Sequence, residues 1–185
     1  MSLRTLSADD ELGLARGAVA VVIAWSSDEL APRTLQSVAA HTADDVPIIV
    51  LACGDDAEAV AATAEGREIL LVAAAAQEAV ARAAGVTGKA DLLWLAAGVR
   101  VGSEYLARLQ GAATSDSTVI SASAMVGAED TGATIDERAR AVAAVASRAY
   151  PRVSQLDPRC VLIRRAGLDR AALGGRDPAG SLREL

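Results

Sequence analysis

Phenylalanine is absent from this chain, and aromatic residues make up only 2% of it, so the core has to be assembled from Ala, Val, Leu and Ile. Such a core packs well but carries almost no hydrogen-bonding handles. His41 is the sole histidine, which removes any histidine-based metal site or triad from consideration. Its place near the end of a helical segment, where a cation is welcome, predicts an exposed residue. The two cysteines, Cys53 and Cys160, form no C-x-x-C pair. Neither a zinc site nor a redox motif is expected from them, and both read as buried thiols in a reduced compartment.

Lys89 is the only lysine, and arginines concentrate toward the C-terminal third. With a formal net charge of -6 the chain has no excess of positive charge to release counterions from a phosphate backbone, so no nucleic-acid partner is expected. A local anion site remains open. The longest apolar runs, residues 18–25 and 69–76, fall short of the ~20 needed to cross a bilayer. No cleavable leader is visible either. A cytoplasmic protein without a membrane segment is expected. No G-x-G-x-x-G or Walker sequence occurs, which leaves a dinucleotide or NTP site unsupported.

What is present is a chain of 185 residues, 52% of them hydrophobic, enough to bury the core of one domain of about 100–200 residues. Met1-Ser2-Leu3 is set aside as having the form of a cloning remnant. Short apolar runs alternate with stretches of helical period, the pattern of βαβ units. Strands are predicted at residues 19–24, 48–52, 68–72, 92–96, 118–124 and 160–163. Helices are predicted in the gaps. The first has Pro32 in its opening turn and Leu35, Val38 and Ala39 on one stripe. Others cover residues 57–65, 75–84, 104–113 with Ser103 as N-cap, and 135–147, where Thr134 to Glu137 has the form of a capping box. Residues 127–132 read as a loop and 151–158 as an irregular connection. The fold class is α/β: three layers, a mostly parallel sheet flanked by helices.

In open α/β sheets ligands lie beyond the carboxyl ends of the strands, where strand order reverses. Those ends carry Trp25-Ser26-Ser27-Asp28, Cys53-Gly54-Asp55-Asp56, Ala73 to Ala76 and Ala96-Ala97-Gly98. Ser26 and Ser27 sit in no nucleophile elbow and read as loop hydroxyls. Asp55 and Asp56, with Asp28, offer oxygen ligands for a cation or a ribose, or simply open the following helix, whose dipole favours negative charge. Trp94 lies inside a strand and reads as core. Trp25 lies at a strand end, where an indole can stack on a base or sugar.

With those ends aligned, the chain resembles the family-2 glycosyltransferases. "VAVVIAWSSDELAPRTLQSVAAHTADDVPIIVLACGDD" is similar to their opening strand, loop, helix and second strand. "EAVARAAGV" looks like their Ala-Arg-Asn-x-Gly segment, with Arg82 at the arginine. "ADLLWLAAGVRVGSEYLARLQGA" resembles the strand, metal motif and helix, and "CVLIRRAGLDRAALGG" a later segment. The resemblance implies a GT-A fold over residues 18–177, with 1–17 an N-terminal segment and 178–185 a polar tail. It also implies a nucleotide-sugar ligand and, for an active member, inverting transfer of the sugar.

The departures fall on functional positions. The acidic pair that helps hold the nucleobase is replaced by Ala52 and Cys53, ahead of Gly54. The family's Asp-x-Asp holds Mg²⁺ or Mn²⁺ through carboxylate oxygen. Here the aligned residues are Ala96, Ala97 and Gly98, so no metal ligand is assigned. Arg100, just beyond, offers a fixed charge in place of the metal. For the general base only Asp177 and Glu184 stand beyond the Gly-Gly segment. The candidate nucleotide-sugar residues are thus Trp25, Ser26, Ser27, Asp28, Gly54, Asp55, Arg82 and Arg100. The expectation is a glycosyltransferase-like domain of a larger protein with a degenerate donor and metal site. Its alternative is a non-catalytic interaction or regulatory module on the same fold, and a third reading is a metal-independent transferase relying on Arg82 and Arg100.

Overall fold

Apolar runs without alternation are strands buried on both faces, and three of them lie at the middle of this sheet. The computed structural model describes residues 2–7, 10–26, 29–52, 56–63, 67–74, 78–115, 121–123 and 159–173. In it the strands are β1 (Ser2–Leu6), β2 (Val19–Ala24), β3 (Ile48–Ala52), β4 (Glu68–Ala73), β5 (Asp91–Ala96), β6 (Ser121–Ser123) and β7 (Cys160–Ile163). The helices are α1 (Leu30–His41), α2 (Ala57–Thr63), α3 (Ala79–Thr87), α4 (Tyr105–Thr114) and α5 (Arg165–Leu173). The strands form one sheet in the order β1-β4-β3-β2-β5-β7-β6. From β1 to β5 all neighbours are parallel; β7 runs antiparallel to both β5 and β6.

The pleat sorts side chains to two faces. Val19, Val21 and Ile23 of β2 pack with Leu35 and Val38 of α1, Val60 of α2 and Leu109 of α4. Ala20 and Val22 pack with Ala79, Ala83 and Val86 of α3 and Leu168 of α5. Helices therefore cover both faces, giving three layers. Each fully buried Ile, Leu or Val contributes about 1.5–3 kcal/mol, so the stripes hold the helices in place. In α1 the buried residues are Ala31, Thr34, Leu35 and Val38, the spacing of one helical face. His41 is exposed in its last turn, as expected.

The three-layer α/β expectation holds, and strands 19–24, 48–52 and 160–163 match to the residue. Four features differ. Ser2–Leu6, which includes Ser2 and Leu3 of the stretch set aside as a remnant, is an edge strand whose Leu6 is 3% exposed and pairs with Val72. The segment 165–173 is a helix that the chain's local pattern does not announce. The helix predicted at 75–84 begins at Ala79. The helix predicted to start at Glu104 under a Ser103 cap starts at Tyr105, and Glu104 holds the cap position with φ 64° and no side-chain cap bond. The predicted helix 135–147, the loop 127–132, the connection 151–158 and the tail beyond 174 lie outside the described residues.

Candidate functional site

From β2 the chain steps outward to β3 and β4, then returns to the other side of β2 as β5. Strand order thus reverses between β2 and β5, which makes the crevice beyond their carboxyl ends the place for a ligand. Ala24 and Ala96 are register partners at that rim. Beyond them stand Trp25 and Ser26 on one side and Ala97 and Gly98 on the other.

Trp25 extends the ladder by donating its backbone N–H to Leu51 O at 2.9 Å. Its ring is half-buried against the α1 face of the core. Trp25 Nε1 and Ser26 Oγ are both buried and have no hydrogen-bond partner among the described residues. A buried polar atom left unpaired costs about 1–3 kcal/mol. Two on adjacent residues, at a switch point, mark a place where an incoming acceptor is rewarded.

The β5–α4 loop is tied to α1. Gly98 has φ 89°, a conformation that side-chain-bearing residues rarely adopt, and a Cβ there would sit 3.4 Å from Leu30 Cδ1. Its N–H donates to the hydroxyl of Thr34 at 2.9 Å, and Thr34 is fully buried. Val101 N–H donates to Ser37 Oγ at 3.3 Å. The two hydroxyls in turn donate to their own helix, Thr34 to Leu30 O at 3.3 Å and Ser37 to Thr34 O at 2.9 Å. Val99 is 4% exposed and anchors the loop between these bonds. Further on, Tyr105 Oη and Thr42 Oγ1 are 2.6 Å apart, and burial raises the Tyr105 phenol above its ordinary pKa against that hydrogen bond, which lowers it.

Among the sequence candidates, Trp25 and Ser26 lie at the crevice. Arg100 is exposed on the loop bound to α1, and Arg82 is half-buried in the first turn of α3, the layer on the opposite face of the sheet. The structure therefore does not bring Arg82 and Arg100 onto one face. Ser27, Asp28, Gly54, Asp55, Asp177 and Glu184 lie outside the described residues. The backbone carbonyl of Arg159 accepts Ala96 N–H at 2.8 Å, which sets residue 159 beside the end of β5. No local pattern signals this; only the antiparallel return of β7 does.

A divalent cation does not fit the residues described. Ala96, Ala97 and Gly98 have no side-chain oxygen, and no three His, Cys, Asp or Glu side chains converge among the described residues. Cys160 is buried, and Trp94 packs on the α3 face of the core. No helix among the described residues is long and apolar enough to cross a membrane.

No protein-family model and no curated protein matches this chain. Among solved structures it is similar to glucosyl-3-phosphoglycerate synthase from Mycobacterium tuberculosis in complex with uridine diphosphate, with a TM-score of 0.50 and 17% identity over 81% of this chain. The match takes in 57% of that protein's length. At this identity the likeness speaks to fold, and the fold is that of a GT-A glycosyltransferase.

Proposed function

We propose that this chain is a family-2 glycosyltransferase-like domain of a larger protein, which holds a nucleoside diphosphate or nucleotide sugar beyond the carboxyl ends of β2, β3 and β5. The observation that carries this reading is the pair of buried, unpartnered polar atoms, Trp25 Nε1 and Ser26 Oγ, at the switch point. A nucleobase or ribose offers acceptors to both, and the indole ring offers a stacking face. The neighbouring fold was solved with uridine diphosphate, which supports the same ligand class here. In this reading Ser27, Asp28, Gly54 and Asp55, which follow β2 and β3 in the sequence, are further candidates to contact the ligand. Sugar transfer, where it occurs, is an inverting displacement with its base from Asp177, Glu184 or another domain of the protein.

A thermal-shift panel of UDP, GDP, TDP and their sugars tests this directly. A ligand at about 100 times its Kd stabilises by about 2.7 kcal/mol. A shift with one base and not the others is the expected result. A flat panel on folded protein removes the nucleotide reading and favours the second one, a non-catalytic module. The observation on that side is the lack of side-chain chemistry at Ala52 and at Ala96, Ala97 and Gly98.

A further inference from the structure

Ala96, Ala97 and Gly98 bring methyl groups and main chain to the rim of the crevice but no polar side chain. What a ligand meets on the β5 side is therefore backbone, and whatever fixes that backbone fixes the site. Glycine has the widest conformational freedom of any residue, and Gly98 is exposed there with φ 89°. Three hydroxyls restrict it. Thr34 accepts the Gly98 N–H at 2.9 Å, Ser37 accepts the Val101 N–H at 3.3 Å, and Thr42 Oγ1 lies 2.6 Å from Tyr105 Oη. From Gly98 to Val101 the loop keeps pace with α1, three residues of loop for three of helix, so it runs alongside α1 rather than across it. Among the described residues the Thr34 bond is the tie nearest the rim, and Thr34 is fully buried whereas Ser37 and Tyr105 are half-buried. On the open side the loop is bounded by Leu30, whose Cδ1 would lie 3.4 Å from a Cβ at Gly98.

We propose that Thr34 is a positioning residue of the ligand crevice: through its bond to Gly98 it holds the β5 rim in the arrangement that the nucleotide binds. This rests on the nucleotide reading above and deepens it. Removing the hydroxyl frees a glycine peptide, and ordering that peptide again becomes part of the cost of binding. A rim that keeps its bound arrangement for about a tenth of the time weakens apparent affinity about tenfold. Thr34 touches no ligand in this scheme and acts through Gly98.

The test is calorimetric titration with whichever of UDP, GDP and TDP the shift panel selects, at a temperature where each variant is folded. Thr34→Val, which keeps the shape and loses the hydroxyl, is expected to weaken binding about fivefold to tenfold. Thr34→Ser keeps the hydroxyl and is expected to stay within about twofold of wild type, as is Thr87→Val, which removes a buried hydroxyl on α3. Gly98→Ala disturbs the rim without touching the helix and is expected to lose about as much as Thr34→Val, which keeps the test alive should Thr34→Val not fold. Amide exchange supplies the second readout: in Thr34→Val the Gly98 N–H exchanges fast when free and slows on saturation with the same nucleotide. Wild-type affinity in Thr34→Val or in Gly98→Ala, equal losses in Thr34→Ser or Thr87→Val, or exchange at Gly98 that the nucleotide leaves unchanged each overturns the proposal and leaves the nucleotide site standing. No binding of any of the three diphosphates to the wild type removes the nucleotide reading, and this proposal with it.

Discussion

Among the described residues, no buried side-chain polar atom at the amino end of the parallel strands lacks a partner, whereas at the carboxyl end two do. Arg67, just ahead of β4, donates to the carbonyls of Ala39, Thr42, Ala43 and Val46, closing the end of α1 and the loop into β3. Arg165 does the same for Ala84 and Gly88 at the end of α3, while its own N–H is taken by Asp91 Oδ1 at 2.8 Å. These arginines are spent on backbone, and they hold the helix ends that α-helical geometry leaves bare. The carboxyl end instead keeps Trp25 Nε1 and Ser26 Oγ unpaired. One end is built for stability; the other holds back hydrogen-bonding capacity that a ligand can use.

The sharpest way to break this contrast is to disable the saturated end. Arg67→Ala strips a donor from four carbonyls and is expected to cost about 2–4 kcal/mol, read as a lower urea midpoint at unchanged slope. Nucleotide affinity of the fraction that remains folded should not move. An equal loss of affinity would mean the two ends are coupled and the contrast false.

Next in size is Thr34→Val, which keeps the shape of a fully buried side chain but leaves Gly98 N–H without its acceptor. We expect a loss of about 1–3 kcal/mol and faster amide exchange at Gly98 than global unfolding explains. Thr87→Val is the matched control. Thr87 is also fully buried, but its hydroxyl only adds a second bond to helical carbonyls of Ala83 and Ala84, so its removal orphans no donor. If both variants behave alike, the bond to the loop carries no special weight.

The smallest effect has the opposite sign. Ser26→Ala deletes an unpartnered hydroxyl and is expected to raise the stability of the free protein by about 0.5–1 kcal/mol while weakening nucleotide binding. A destabilised variant would show that Ser26 is satisfied in solution and that the carboxyl end is not the unsaturated one.

How far the chain could be read without coordinates depended on the kind of signal. The strands at Val19–Ala24 and Ile48–Ala52 are runs buried on both faces, and burial of that kind is written in composition. The edge strand Ser2–Leu6, "SLRTL", carries mixed polarity and is held by pairing with β4, a partner more than sixty residues away. Likewise α5 opens on a bond from Arg165 N–H to Asp91, 74 residues distant, which no local cap motif reveals. At the candidate site, the lack of acidic side chains at Ala96, Ala97 and Gly98 is read directly from the sequence. The tie between Thr34 and Gly98 is not, since it joins residues 64 apart.

By itself, then, the order of apolar and helical segments determined the three layers and the parallel core of the sheet, because hydrophobic period is a local property of the chain. Only the tertiary structure decided which distant segments meet at the carboxyl ends of the strands. Antiparallel pairing of β7 brought residue 159 beside Ala96, and two hydroxyls of α1 tied down the β5–α4 loop, and both outcomes depend on contacts between residues far apart in the chain.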